Sequence, residues 1–143
     1  MTIKKRYSKI TDFNKNLSEM IAIKKSSIPQ AGKGAFAKKT ITKGKKIGEY
    51  NGLVLGASDY DQLEDKSYVF EVTKKHKGKY YLFYIDAQKG GDLRYVNGAN
   101  NSKQKKRVNV ESYQYAERIF FRASKKILPG EELLTDYGDN YWE

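Results

Sequence analysis

The sequence predicts a mainly β domain made of several short strands, with almost no helix. Tyrosine favours strands over helices, and this 143-residue chain contains 12 tyrosines. Several segments alternate apolar and polar residues with the period of two that marks a half-buried strand. Helical segments do not alternate with strands along the chain, which argues against a Rossmann-type cofactor domain. One compact domain is expected for this length.

The first half of the chain contains three strand signals and one helical signal. Residues 20–26 predict the first strand, and residues 28–37 a loop with one proline and two glycines. Residues 45–56 predict a strand, a tight turn at Asn51-Gly52 and a second strand, because Asn-Gly is the strongest short hairpin signal. Residues 58–66 begin with a serine that could cap a helix, and they predict one or two helical turns.

The second half predicts strands separated by polar turns. Residues 67–73 alternate with period two and read as a strand. The next strand is expected to return after the turn at 74–79, and residues 92–101 to form a short turn feeding an Asn/Gly-rich loop. The last strands are expected at 107–112, 117–124 and 131–138.

Charge is distributed unevenly over the chain. Residues 1–50 hold 13 Lys/Arg against 3 Asp/Glu, whereas residues 131–143 hold 5 Asp/Glu and no Lys/Arg. Residues 1–17 show little periodicity and are predicted to form a basic N-terminal arm, which leaves 18–143 as the folded domain. The basic residues 1–50 favour binding to a polyanion, such as nucleic acid or a nucleosome surface. The alternative is a solvated lysine-rich surface.

Composition excludes several kinds of site. The chain has no cysteine, which rules out disulfides and cysteine-ligated zinc. It has one histidine, so a metal site would need carboxylates, and no such cluster is visible; we expect no metal. The N-terminus lacks the apolar segment of a signal peptide. The longest uncharged run, at 50–58, is far too short to span a membrane, so no membrane association is expected.

Three stretches, at 32–52, 92–101 and 119–142, resemble the conserved motifs of one family in the family's order. They contain the sequences GKGAFA, RYVNGA and ILPGEELLTDYG. Each motif is weak alone, but the ordered set resembles a SET domain, the fold of protein-lysine methyltransferases. The second motif is similar to the PR subtype. The resemblance implies small β-sheets whose C-terminal segment threads under a loop to form a pseudo-knot, an exception to ordinary chain topology.

The resemblance also implies an activity, a cofactor and a partner. The cofactor would be S-adenosyl-L-methionine, and the substrate a lysine in a histone tail or another basic protein. Methyl transfer requires a neutral amine, although lysine has a pKa near 10.4, so a desolvated aromatic channel is needed. By resemblance, Tyr137 is the active-site tyrosine and Tyr50 a second tyrosine of that channel. The alternative for both is a buried ring with a solvated hydroxyl.

Cofactor contacts are assigned by resemblance in the same way. The glycine loop would approach the methionine part, because glycine lacks a Cβ, and the second motif would hold the amine and the adenine. The candidates are Gly32, Lys33, Gly34, Tyr68, Asn97, Gly98 and Trp142. The alternatives are an ordinary loop, a core tyrosine at 68 and a core tryptophan at 142.

Two departures from the family pattern bear on function. Gly98 replaces the usual histidine of the second motif, and Thr135 stands where relatives often have phenylalanine or tyrosine. The small Thr135 would leave a roomier pocket that allows more than one methyl group. Gly98 and the basic residues 1–50 favour the second hypothesis, a weakly catalytic PR-like module that binds chromatin or nucleic acid, and a plain β-barrel nucleic-acid binder is the third. The cysteine-rich flanks of many relatives have no counterpart, as in small viral and bacterial members, and a second subunit could supply a lid. A nuclear location follows from a histone substrate, and the acidic end could steer a basic peptide.

Overall fold

The computed structural model describes residues 6–7, 14–88, 90–115 and 118–136. These residues form short strands with few helices, which confirms the predicted mainly β class. In chain order the elements are β1 (Arg6–Tyr7), α1 (Leu17–Met20), β2 (Ile21–Lys25), β3 (Lys33–Ala37), β4 (Lys46–Glu49), β5 (Leu53–Leu55), α2 (Ala57–Asp61), β6 (Val69–His76), β7 (Lys79–Asp86), a 3-10 helix (Asp92–Tyr95), β8 (Asn97–Gly98), α3 (Ser102–Lys105), β9 (Val110–Tyr115), β10 (Arg118–Ala123) and β11 (Leu134–Thr135).

The strands of the described residues form three small sheets. One has the order β1-β5-β7-β6, the second β4-β10-β9-β11-β8, and the third pairs β2 with β3. The long β6–β7 hairpin turns at Lys77 and Gly78, where φ is 51° and 77°. Two left-handed residues in a row make the tight turn whose twist matches paired strands.

The hairpin predicted at Asn51-Gly52 is wrong. The flanking strands do not pair with each other, because β4 pairs with β10 and β5 pairs with β7, in different sheets. Glycine is needed at position 52 for another reason. A Cβ there would lie 2.3 Å from the backbone oxygen of Asp86. The segment is therefore a crossing between two sheets that passes close to the end of β7.

The last described strand inserts into the middle of a sheet. β11 runs parallel to both β8 and β9, with Leu134 opposite Asn97 and Thr135 opposite Val110. The Asn109 carboxamide extends this pairing, since its Nδ2 donates to Glu132 O at 3.0 Å and its Oδ1 accepts from Leu134 N at 2.9 Å. The described part of the chain end is thus drawn between two earlier strands, as the resemblance implies.

One hydrophobic core lies beneath the sheets. Its largest fully buried side chains include Ile47, Ile85, Phe121, Ile127 and Leu133, contributed by several distant segments. Burying one such side chain contributes about 1.5–3 kcal/mol. Because the core draws on the whole described chain, the sheets are fixed relative to one another.

The described parts of the predicted N-terminal arm are bound to the domain. β1 pairs with β5. The side chain of Asn14 imitates a strand partner, donating to Glu49 O at 3.0 Å and accepting from Glu49 N at 2.7 Å. Leu17 is buried. The domain boundary at residue 18 stays a prediction.

The helices of the described chain are short. α2 confirms the predicted helical turn within 58–66. Among the described residues, no helix has the length and apolar character needed to cross a bilayer.

Candidate functional site

A buried carboxylate of the third motif joins the second motif to the two serines that precede the first motif. Glu132 is 5% exposed and lies just before β11. Its Oε2 accepts from Ser26 Oγ at 2.6 Å, while its Oε1 accepts from Ser27 N at 2.9 Å and from Ser27 Oγ at 2.6 Å. Asn97 Nδ2 approaches Oε2 at 3.4 Å. Hydrogen bonds to an ionised acceptor are roughly twice as strong as neutral ones, so Glu132 clamps the three segments together.

The orientation of the Asn97 carboxamide follows from these contacts. Its Nδ2 donates to Lys33 O at 3.0 Å and lies 3.2 Å from Ser26 Oγ. Lys33 O and Glu132 Oε2 can only accept, so the nitrogen of the amide must face them. This leaves Oδ1 as the atom of Asn97 that can meet a ligand, and Oδ1 accepts hydrogen bonds. The site therefore suits a ligand that presents an N–H or ammonium group.

The glycine loop requires glycine at positions 32 and 34 for two different structural reasons. Gly32 has a φ of 72°, a left-handed conformation that favours glycine, and its carbonyl accepts from Ser26 N at 2.8 Å. Gly34 fills a different need, because a Cβ there would lie 2.3 Å from Glu132 Oε2. The missing side chain of Gly34 thus makes room for the Glu132 carboxylate. The position of the Glu132 carboxylate therefore requires glycine at position 34 of the loop.

An aromatic and cationic group flanks the clamp. The rings of Tyr68 and Tyr95 meet edge to face, with centroids 6.4 Å apart. Lys33 Nζ lies 5.8 Å from the Tyr95 ring centroid. The Arg94 guanidinium stacks on that ring at 4.3 Å, and its Nη2 donates to Tyr95 Oη at 2.6 Å. The site therefore combines aromatic faces with one exposed cation, Lys33, and with Arg94, whose Nη1 also donates to the backbone oxygens of Gly90 and Gly91.

Tyr50 lies in the core and contacts this group through its hydroxyl. The residue is 2% exposed, and its ring centroid is 4.8 Å from that of Phe70 and 5.6 Å from that of Phe121. Its Oη donates to Tyr68 O at 2.7 Å. In this structure the Tyr50 hydroxyl therefore supports the Tyr68 backbone, and its predicted catalytic role stays a prediction.

The structure brings together most of the predicted cofactor residues that it describes. Lys33, Gly34 and Asn97 meet at Glu132, Gly98 follows Asn97 in β8 opposite Thr135, and Tyr68 joins through Tyr95. Tyr137 and Trp142 lie outside the described residues. Among the described residues, no group of three or more His, Cys, Asp or Glu side chains could hold a metal ion.

Sequence reasoning missed Glu132, Ser26 and Ser27. Glu132 was counted with the acidic end expected to steer a basic peptide, and this is wrong for that residue because its carboxylate is buried and fully engaged. Its neighbour Glu131 is exposed, and Glu131 Oε1 accepts from Leu128 N at 2.7 Å. The usable signal was the pair of serines before the glycine loop, since adjacent hydroxyls are natural donors to a carboxylate.

Replacing Thr135 by valine should raise the free energy of unfolding by about 1 kcal/mol. Thr135 is 1% exposed, and its Oγ1 has no hydrogen-bond partner among the described residues. Valine keeps the shape and removes the unpaired buried hydroxyl. Urea denaturation would measure the change, with Thr73→Val on the exposed part of β6 as a control expected to shift it by less than about 0.5 kcal/mol. A destabilised Thr135→Val protein would show that the hydroxyl has a partner.

The small sheets and the inserted C-terminal strand define a SET-like fold. Similar solved structures include the methyltransferase domain of human PR domain-containing protein 2, with a TM-score of 0.68 and 29% identity, covering 86% of this chain and 80% of that one. ATXR5 in complex with mono-methylated histone H3.1 aligns with a TM-score of 0.70 over 83% of this chain and 57% of that one. Its identity of 24% shows a shared fold alone.

Sequence comparison identifies the family. The family model for the PR domain of PR domain zinc finger protein 2 matches residues 21–143, and the chain belongs to this PR domain family. The chain is 31% identical over 123 residues to PR domain zinc finger protein 2 of Homo sapiens, and 31% identical over 117 residues to the human histone-lysine N-methyltransferase PRDM7. These matches cover 86% and 81% of this chain but span 7% and 23% of the two relatives' lengths.

Proposed function

We propose that this chain is an S-adenosyl-L-methionine-dependent protein-lysine N-methyltransferase that acts on a histone tail or another basic protein. The observation that carries the proposal is the convergence of the glycine loop, Asn97 and the segment before β11 on the Glu132 carboxylate. These segments are distant in sequence, and their meeting point is where the resemblance places the cofactor. The relative named as a histone-lysine N-methyltransferase supports the reaction, and the histone complex of a structural neighbour supports the substrate class.

The residues fit the methionine part of the cofactor. Asn97 Oδ1 would accept from its ammonium group, and Lys33 or Arg94 would pair with its carboxylate. The faces of Tyr68 and Tyr95 offer the apolar, electron-rich surface that attracts a cationic sulfur. When bound, S-adenosyl-L-methionine supplies the methyl group. The protein contributes binding, orientation and exclusion of water, which provide most of the gain in a transfer of this kind.

The substrate lysine must reach this site as a neutral amine. A desolvated aromatic surrounding disfavours the ammonium form and so lowers the pKa of a buried lysine. By resemblance, Tyr137 orients the amine through its hydroxyl. The Trp142 ring would stack on the adenine or close the channel. Thr135, two residues before Tyr137, is smaller than the aromatic residue often found there, which favours transfer of more than one methyl group. A histone substrate implies work at chromatin, and therefore a nuclear location.

Replacing Tyr137 by phenylalanine should reduce methyl transfer by about 100-fold or more, because the ring stays while the orienting hydroxyl is lost. The assay is transfer from labelled S-adenosyl-L-methionine to recombinant histones, with the cofactor Kd measured in parallel by calorimetry. Tyr115→Phe is a matched control, since Tyr115 is 72% exposed on β9. A wild-type protein that binds no S-adenosyl-L-methionine would end the proposal.

Gly98 favours one competing function, a PR-like module that binds chromatin or nucleic acid with little chemistry. Glycine at this position removes the side chain with which most relatives tie the second motif to the threaded segment. The backbone tie itself is present, as Ala99 N donates to Thr135 O at 2.9 Å. This module would bind the cofactor or its product without transferring a methyl group to any histone. Single-turnover assays with excess protein would separate the two functions.

A further inference from the structure

Lysines gather on one surface of the domain, which we call the lysine face. It consists of the loop at 38–46 and the neighbouring turn at 124–127. Its lysines are all exposed: Lys38, Lys39, Lys43, Lys45, Lys46, Lys125 and Lys126. Neither 38–46 nor 122–130 contains an Asp or Glu.

Backbone pairing holds the two parts of the lysine face in fixed relation. Ile41 and Ile127 exchange both backbone hydrogen bonds at 2.8 Å, and they are 2% and 0% exposed. Gly44 N donates to Ala123 O at 2.8 Å, and Ala123 N donates to Lys45 O at 2.9 Å. Two buried isoleucines therefore anchor a rigid base from which the lysines project.

Four of the seven lysines of the lysine face have no ion-pair partner within the described part of the chain. The two ion pairs found there join Arg118 to Glu49 and Arg122 to Glu111. Lys39, Lys43, Lys45 and Lys126 form no ion pair with the described residues. Clustered like charges repel one another and disfavour the compact state. A rigid cluster of this kind therefore has electrostatic energy to gain from an anionic partner.

A cavity opens within the lysine face, between α1 and the loop at 38–46. Its volume is about 490 Å³, and its lining includes Thr40, Thr42, Lys39, Lys45 and Lys46. The acidic residue at its edge is Glu19. Hydroxyl and ammonium donors around a concave surface are the groups that contact phosphate oxygens in nucleic-acid complexes.

The lysine face is separate from the cofactor site. β3 begins at Lys33, which contacts Asn97, and ends at Ala37, next to the lysine face. Four residue steps along a strand span roughly 13 Å. The lysine face and the Glu132 site therefore use different residues.

We propose that the lysine face binds the phosphodiester backbone of nucleic acid, without reading its sequence. The partner is a nucleic acid because several lysines on one fixed backbone base can each neutralise a phosphate, and each neutralised phosphate releases a counterion. This binding does not depend on methyl transfer. Duplex DNA and duplex RNA share this backbone chemistry, so we expect both to bind the lysine face.

The test measures binding of a labelled 20-base-pair DNA duplex, and of the matching RNA duplex, by fluorescence anisotropy at several salt concentrations. In the triple variant Lys39→Gln, Lys43→Gln, Lys45→Gln, we expect Kd to rise by at least about tenfold at low salt. The slope of log K against log salt should fall by roughly 2.7, at about 0.9 for each lost contact with B-DNA.

The matched control is Lys74→Gln, Lys75→Gln, Lys77→Gln in the β6–β7 hairpin, which removes the same net charge from another sheet. It should keep most of the affinity. Equal losses in both variants, no binding by the wild type at 50 mM salt, or equally tight binding to polyglutamate would each overturn the proposal. Unchanged S-adenosyl-L-methionine binding in the lysine-face variant would show that the cofactor site is intact, so failure here is distinguishable from failure of the methyltransferase function.

Discussion

Glu132→Gln should weaken S-adenosyl-L-methionine binding by at least about tenfold, which is about 1.4 kcal/mol. The substitution keeps the size of the side chain but puts an amide nitrogen where one carboxylate oxygen was. If that nitrogen faces Asn97, two NH2 groups oppose each other. Turning the Asn97 amide relieves this contact, but it then presents Nδ2 to the ligand's ammonium and opposes Oδ1 to Lys33 O. The first arrangement repels the Asn97 amide from its position, and the second removes the acceptor that we propose for the cofactor.

The same substitution should lower the free energy of unfolding by about 1–3 kcal/mol, the cost of leaving one buried donor unpaired. Calorimetry at a temperature where the variant is fully folded separates binding from stability. Glu131→Gln is the matched control, because it makes the same chemical change at the neighbouring exposed carboxylate and should leave both quantities nearly unchanged. A Glu132→Gln protein with wild-type cofactor Kd would show that the clamp does not orient Asn97.

Removing Arg118 should destabilise the fold by about 3 kcal/mol. Glu49 is completely buried at the end of β4, and Arg118 holds it with two parallel contacts, Nε to Oε2 and Nη2 to Oε1, both at 2.7 Å. This carboxylate also raises the pKa of Arg118, chiefly through the hydrogen bonds. Arg118→Ala would leave a buried charge without its cation. For a domain of this size the melting temperature should fall by roughly 6–12 °C.

A second ion pair on β10 provides the control for this experiment. Arg122 lies on the same strand and pairs with Glu111, but both of these side chains are nearly half exposed. Arg122→Ala should therefore change stability by less than about 1 kcal/mol. The double variant Glu49→Met, Arg118→Met should recover most of the loss, since a buried ion pair can be replaced by apolar side chains at little cost. Equal effects of Arg118→Ala and Arg122→Ala would refute the special role of the buried pair.

The motifs allowed most of the fold and part of the site to be predicted. An alternating pattern identified β6, the turn at 74–79 identified β7 as its returning strand, and the ordered motifs brought Lys33, Gly34 and Asn97 to one place. The hairpin prediction at Asn51-Gly52 was wrong because a turn dipeptide indicates only a local conformational preference. Which strands pair is decided by long-range contacts. The reason for glycine at position 52 is the backbone of Asp86, which no local pattern could reveal.

The burial and the hydrogen bonds of Glu132 could also not be predicted from the sequence. Glu132 looked like one of several acidic residues near the chain end, and only the fold shows that it is buried against Ser26 and Ser27. Tyr50 is a related case, since its hydroxyl contacts the Tyr68 carbonyl. Burial and partner choice are properties of the packed whole, and residue type alone does not determine them.

The position of β11 has a consequence for biosynthesis. β8 and β9 cannot complete their sheet until the ribosome has produced β11, the strand that lies between them. A nascent chain lacking it would have the glycine loop and Asn97 but not Glu132. Pairings between segments so far apart in sequence are slow to form. Ligand binding should therefore emerge only after β11 has been made, and chaperones would have their longest opportunity to act just before that moment.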